Sequence, residues 1–101
     1  MTCGSMTKIS VRFLSNDVKE ASGKESLDLT INAGETVQQV LLLLGEKFGE
    51  RFKNVIFSSE GLVRENLVVF VNGQNVMAKN GLKTKVKDGD QIMIFTPIVG
   101  G

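Results

Sequence analysis

Residues 27–49 read LDLTINAGETVQQVLLLLGEKFG, and within them the apolar period changes from two to about 3.6. Leu27, Leu29 and Ile31 alternate with Asp28 and Thr30, the pattern of a half-buried strand. Asn32-Ala33-Gly34 breaks that pattern. Thr36 and Gln39 then have capping-box spacing: the Thr oxygen can accept the Gln39 amide while the Gln39 side chain reaches back to the Thr36 amide. A helix is expected to start at Thr36 or Val37. Val37, Val40, Leu41, Leu44 and Phe48 fall on one stripe of it. Leu42 and Leu43 lie off the stripe, where one of them could cover a loop. Gly45 weakens the helix by about 1 kcal/mol relative to Ala, and Gly49 suits its C-terminal stop.

Working outward, residues 8–14 (KISVRFL) alternate, with Ile9, Val11 and Phe13 on one face and Ser10, Arg12 and Leu14 on the other. Residues 15–26 are polar and contain Gly23, which reads as a loop or wide turn of an N-terminal hairpin. Beyond the helix, residues 50–54 suggest one more helical turn. Val55-Ile56-Phe57 reads as a short edge segment before the turn Ser58-Ser59-Glu60-Gly61. Residues 67–71 (LVVFV) are apolar throughout, as suits a central strand. Asn72-Gly73 marks a tight turn, Asn80-Gly81 and Asp88-Gly89-Asp90 mark others, and residues 91–95 (QIMIF) form the last strand. Pro97 lacks an N–H, so residues 96–101 (TPIVGG) read as an extended tail. The expected fold is α+β: a mixed sheet of four to five strands with one main helix on one face. The expected organisation is a flexible leader or expression remnant over residues 1–7, one domain over 8–95, and a flexible tail over 96–101.

One helix covers one sheet face, so the other should be polar. If Val69 and Val71 face the helix, however, Val68 and Phe70 face outward. If Ile92 and Ile94 face in, Met93 and Phe95 face out, and Arg12 and Leu14 join them from the first strand. Contiguous apolar residues of this kind suit a partner-binding patch; the competing reading is a loop lying over part of the face.

Composition narrows the function. The chain has 101 residues, is 42% apolar and 23% charged, and carries a net charge of +1 from 12 Lys+Arg and 11 Asp+Glu. That is ordinary globular composition. No stretch approaches the roughly 20 apolar residues of a membrane span, no secretory pattern opens the chain, and cytoplasm is the expected location. The Lys83, Lys85 and Lys87 cluster reads as a solvated turn rather than a contact for an acidic partner, and the charge excess needed for direct nucleic-acid binding is missing. A single cysteine, Cys3, allows no intrachain disulfide and no multi-cysteine metal site. It belongs either to the leader or to a reactive thiol. The chain has no histidine, hence no His base, His ligand or His-activated nucleophile. Catalysis by this chain alone is not expected.

The C-terminal run DGDQIMIFTPIVGG (88–101) resembles the MoaD family: a DGD turn, an apolar strand ending in Phe, a proline, two variable residues and Gly-Gly. Val71-Asn72-Gly73 resembles that family's VNG hairpin, and Phe13 and Glu35-Thr36-Val37 also fit. The resemblance covers residues 8–101 and is close to archaeal MoaD-like proteins, including small archaeal modifiers. Thr96 departs from it, since the family often has a second proline there, and a somewhat looser tail is expected. The thiamin counterpart, ThiS, is similar but usually shorter and without the insertion at 49–67, so it fits less well.

The resemblance implies a β-grasp, ubiquitin-like fold and a non-catalytic sulfur carrier. A MoeB-like activating enzyme would use ATP and Mg to adenylate Gly101, and a persulfide would convert it to a thiocarboxylate. The foremost implied role is the small subunit of molybdopterin synthase, donating sulfur beside a MoaE-like large subunit. The alternative is a protein modifier joined through Gly101 to target lysines, with tRNA thiolation a further outlet. A third is an interaction domain with an inert tail. The site residues so implied are Gly101, the tail Gly100, Val99, Ile98 and Pro97, and the patch Phe95, Met93, Phe70, Val68, Leu14 and Arg12. No cofactor is expected to stay bound. Gly-Gly suits a tail that threads a narrow channel, because neither residue carries a Cβ. Pro97 lowers the ordering cost. A plant-type ferredoxin on a similar fold would need four cysteines.

Overall fold

The structure is a computed structural model and describes residues 6–64, 66–78 and 80–96. Met6–Phe13 (β1) and Ser26–Asn32 (β2) pair antiparallel, with Ile9 opposite Leu29 and Val11 opposite Leu27. Val68–Val71 (β3), Gln74–Asn75 (β4) and Gln91–Phe95 (β5) complete a mixed five-stranded sheet in the order β2-β1-β5-β3-β4. β5 lies at its centre, parallel to β1 and antiparallel to β3.

The main helix, α2, spans Val37–Phe48, and its capping box is formed: the Gln39 N–H donates to Thr36 Oγ1 and the Thr36 N–H donates to Gln39 Oε1. The sequence stripe is the buried face, with Val37, Val40, Leu41 and Leu44 packed on the sheet. Leu42 and Leu43 are exposed, and Leu42 shares a shallow surface cavity with Ser58, Ser59 and Gly61. Gly49, at φ 94°, both ends α2 and starts α3 (Glu50–Ile56). Gly45 has a packing reason: a Cβ there would sit 3.0 Å from Lys53 Cγ and 3.6 Å from the Phe57 ring. α3 thus approaches α2 closely enough that a Cβ at position 45 would require the Lys53 side chain to give way.

Two expectations are corrected. Residues 15–26 are not a plain loop, for Asn16–Ser22 form a short helix (α1 in chain order) that buries Val18 and ends at Gly23 in the left-handed region. Val55 and Ile56 are not an edge segment but the end of α3. Ile56 is buried four residues after Phe52, on the same helical face, and only Phe57 bridges across to Val63. The core is filled by Phe13, Phe52, Ile9, Leu41, Leu44, Ile92 and Ile94, with Phe13 edge-on to Phe52 at 5.8 Å.

The two turns that carried the sequence resemblance bind each other. Asn72 and Gly73 both have positive φ, 53° and 83°, as a two-residue hairpin turn requires. Asn72 Nδ2 donates to Asp90 Oδ1 at 2.9 Å, and the Gln91 N–H donates to Asn72 Oδ1 at 2.9 Å. Asp88 accepts the Lys8 N–H at 2.8 Å. These bonds pin the start of β5 against both neighbours and so set its register. A slip of one residue would exchange Ile92 and Ile94 for Met93 and Phe95 in the core.

Candidate functional site

Register dictates what the sheet shows on its outer face. β5 pairs Phe95 with Val68 and Met93 with Phe70, and β1 places Arg12 opposite Met93. Val68, Phe70, Met93 and Phe95 are half-buried against one another, with the Phe70 and Phe95 rings 5.8 Å apart. Leu14 and Arg12 are exposed at the border of this group. The apolar character is concentrated on β5 and β3, because β1 and β2 present Lys8, Ser10, Asp28 and Thr30, with Met6 exposed at the far end of β1. The structure therefore brings the six sequence-derived patch residues together at the end of the sheet where β5 finishes. Pro97, Ile98, Val99, Gly100 and Gly101 lie outside the described residues, as does most of the leader.

Thr96 is the last described residue before the tail, and the expectation of a looser tail falls on residues outside the described ones. Thr96 is buried and held by the start of α1. Along β1 the regular ladder ends with the Leu14 N–H donating to Ile94 O at 3.0 Å. The next donor on that edge, the Thr96 N–H, goes to Ser15 Oγ at 3.0 Å. The Ser15 hydroxyl donates to Asp17 Oδ1 at 2.7 Å, and the Thr96 hydroxyl donates to Asp17 Oδ2. Ser15 occupies the N-cap of α1 yet makes no side-chain cap bond to it. Partial burial pushes the Asp17 carboxyl up, but hydrogen bonds from Thr96, Ser15 and the backbone around Val18 outweigh it and leave its pKa below the ordinary value. The sequence carried no sign of this group, whose members are separated by up to 81 residues.

Elsewhere, a cavity of about 180 Å³ on the helix side of β3 is walled by Leu67, Val69, Val76 and Leu82. Its one charged side chain, Arg64, already donates from Nε to Asn54 O at 2.8 Å. Among the described residues no cluster of His, Cys, Asp or Glu could hold a metal, and no helix is long and apolar enough to cross a membrane.

Residues 13–101 match the family model described as the ThiS family. A protein of Archaeoglobus fulgidus whose name assigns it a sulfur-carrier role is 35% identical over 75 residues, 73% of this chain and 84% of that one. Small archaeal modifier protein 3 of Haloferax volcanii is 28% identical over 94 residues, 93% of this chain and 99% of that protein. The solution structure of small archaeal modifier protein 1 from Methanosarcina acetivorans superimposes with a TM-score of 0.82 at 34% identity, covering 97% of this chain and 100% of that one. The fold is the ubiquitin-like β-grasp.

Proposed function

We propose, from the premise that this chain belongs to the ThiS family and to its ubiquitin-like sulfur carriers and modifiers, that Gly101 is its working group and carries sulfur as a thiocarboxylate. The observation that carries this reading is the placement of the Gly100-Gly101 segment. In the sequence it begins five residues after Phe95, the last residue of β5 and a member of the outward apolar group. The family match also runs through to residue 101.

The chemistry divides between this chain and its partners. The Gly101 carboxylate attacks the α-phosphorus of Mg-ATP on an activating enzyme, and pyrophosphate leaves. A partner's persulfide sulfur attacks the acyl carbon of the adenylate, and AMP departs with the bonding pair. A second thiol reduces the resulting acyl disulfide, leaving a thiocarboxylate on Gly101 and a disulfide on the partner. The thiocarboxylate sulfur then attacks an electrophilic carbon of the acceptor, and water regenerates the carboxylate. On the motif's reading the acceptor is a molybdopterin precursor held by a MoaE-like large subunit. This chain's own part is to dock through Phe95, Phe70, Met93 and Val68 and to deliver its terminus.

A second reading has a specific support, the modifier names of the relatives from Haloferax volcanii and Methanosarcina acetivorans. There a target lysine amine displaces AMP and an isopeptide bond forms. Intact-mass analysis of the protein from its own cells tests both. A mass gain equal to exchange of oxygen for sulfur, lost on alkylation and hydrolysis, supports the carrier. A tryptic 88–101 peptide linked to a target lysine supports the modifier. A terminus found only as free carboxylate, with no adducts, refutes both.

A further inference from the structure

The geometry points to a positioning role for Ser15, Asp17 and Thr96: together they fix the end of β5 from which the chain continues toward Gly101, and so how well an activating partner binds it. This rests on the reading that Gly101 is the group activated. Three observations converge. The β1–β5 ladder does not simply fray at Thr96, because a serine side chain takes over as acceptor for the Thr96 N–H. That serine stands where a helix-capping hydroxyl would bond the first turn of α1, and it is turned to Thr96 and Asp17 instead. The Thr96 side chain is buried and bonded to a carboxylate whose two oxygens each hold one hydroxyl.

The residue so clamped immediately precedes Pro97. A following proline confines Thr96 to extended conformations, and the proline ring fixes the next φ. Four residues follow Pro97, a length of chain that spans at most about 14 Å. β5 is held at its other end by Asn72 and Asp90, so the root of the tail is fixed from both sides. A terminus with a directed root has less freedom to lose on entering a channel. A merely structural role, tying α1 to the sheet, would protect the melting temperature but not the kinetics of activation.

The test is Thr96→Val in the full chain, which keeps volume and branching and removes the hydroxyl. Thr96→Ser serves as rescue. Ile31→Val, in β2 at the far edge, serves as a destabilised control. ATP–pyrophosphate exchange is measured with the activating enzyme from the same cells, varying this protein as substrate. The expected result for Thr96→Val is a KM raised about fivefold or more with kcat within about twofold, the mark of lost binding rather than lost chemistry. Thr96→Ser should restore KM, and Ile31→Val should leave it unchanged. Residual dipolar couplings of the Ile98 and Val99 amides should shrink in Thr96→Val. An unchanged KM with unchanged couplings overturns the clamp. Should the wild-type chain support no exchange with any adenylating enzyme, the Gly101 reading fails, and the couplings alone decide: shrinkage upholds the clamp and no change overturns it.

Discussion

Phe95→Ala removes one of two rings that touch on the outer face, and its cost to the fold can be worked from its surroundings. Phe95 is half-buried, so about half of the 1.5–3 kcal/mol from burying a large apolar side chain is at stake. Losing the ring contact with Phe70 adds about 0.5–1.5 kcal/mol. The sum is about 2 kcal/mol, or roughly 10 °C in Tm for a domain of this size. Phe13→Ala is the internal comparison. That ring is fully buried against Phe48 and Phe52, so its loss should cost about 3–5 kcal/mol. If Phe95 also anchors a partner, its loss should weaken docking by about 2 kcal/mol or more, close to 30-fold. Urea unfolding measures the first quantity and the concentration dependence of ATP–pyrophosphate exchange the second. A stability loss of more than about 4 kcal/mol would make Phe95 a core residue. A change in KM below about threefold would remove it from the docking surface.

Thr36→Ala should destabilise the fold by about 1 kcal/mol, read from the unfolding midpoint, because it deletes the oxygen that accepts the Gln39 N–H. Deleting Gly100 and Gly101 should abolish adenylation while leaving the melting temperature within about 2 °C of the parent, since neither glycine brings a side chain to the core. The Asp17 carboxyl titrates below its ordinary 3.8, so it adds stability that is complete above that value and is lost as pH falls through the lowered folded-state pKa. An acid-unfolding curve of Asp17→Asn should therefore lie closest to the parent at the lowest pH, separate from it as pH rises through the lowered folded-state pKa, and keep its full offset above 3.8. A constant offset at every pH would show that the carboxylate's charge contributes nothing.

Local chemistry made much of the fold legible. The Thr36–Gln39 capping pair, the Val37–Leu44 stripe and the Asn72-Gly73 turn each act over a few residues, and each is present where the sequence puts it. The alternation of residues 67–71 could not be read from a uniformly apolar run, yet its burial does alternate, with Val69 and Val71 inward. α1 was hidden because seven residues offer barely two turns of periodicity and only Val18 is fully buried. Val55-Ile56 looked extended because both are β-branched, but the burial of Ile56 beside Phe52 overrides that preference. That Val68 shares a face with Phe70, and Met93 with Phe95, follows from strand period, but which faces point outward did not. The Thr96 anchor was not legible, because it depends on two side chains near the N-terminus meeting a residue near the C-terminus.

The central position of β5 has a consequence for how the protein is made. β5 follows the other four strands in the sequence, yet β1 and β3 both need it as a neighbour, and it supplies Ile92 and Ile94 to the fully buried interior. Until it emerges, the earlier strands wait with open edges, and closure joins positions 80 residues apart, as between Lys8 and Asp88. A chain cut short before β5 would lack the keystone strand and the two isoleucines it brings to the interior, leaving β1 and β3 without their shared neighbour. The sheet and its core therefore close only once β5 is present.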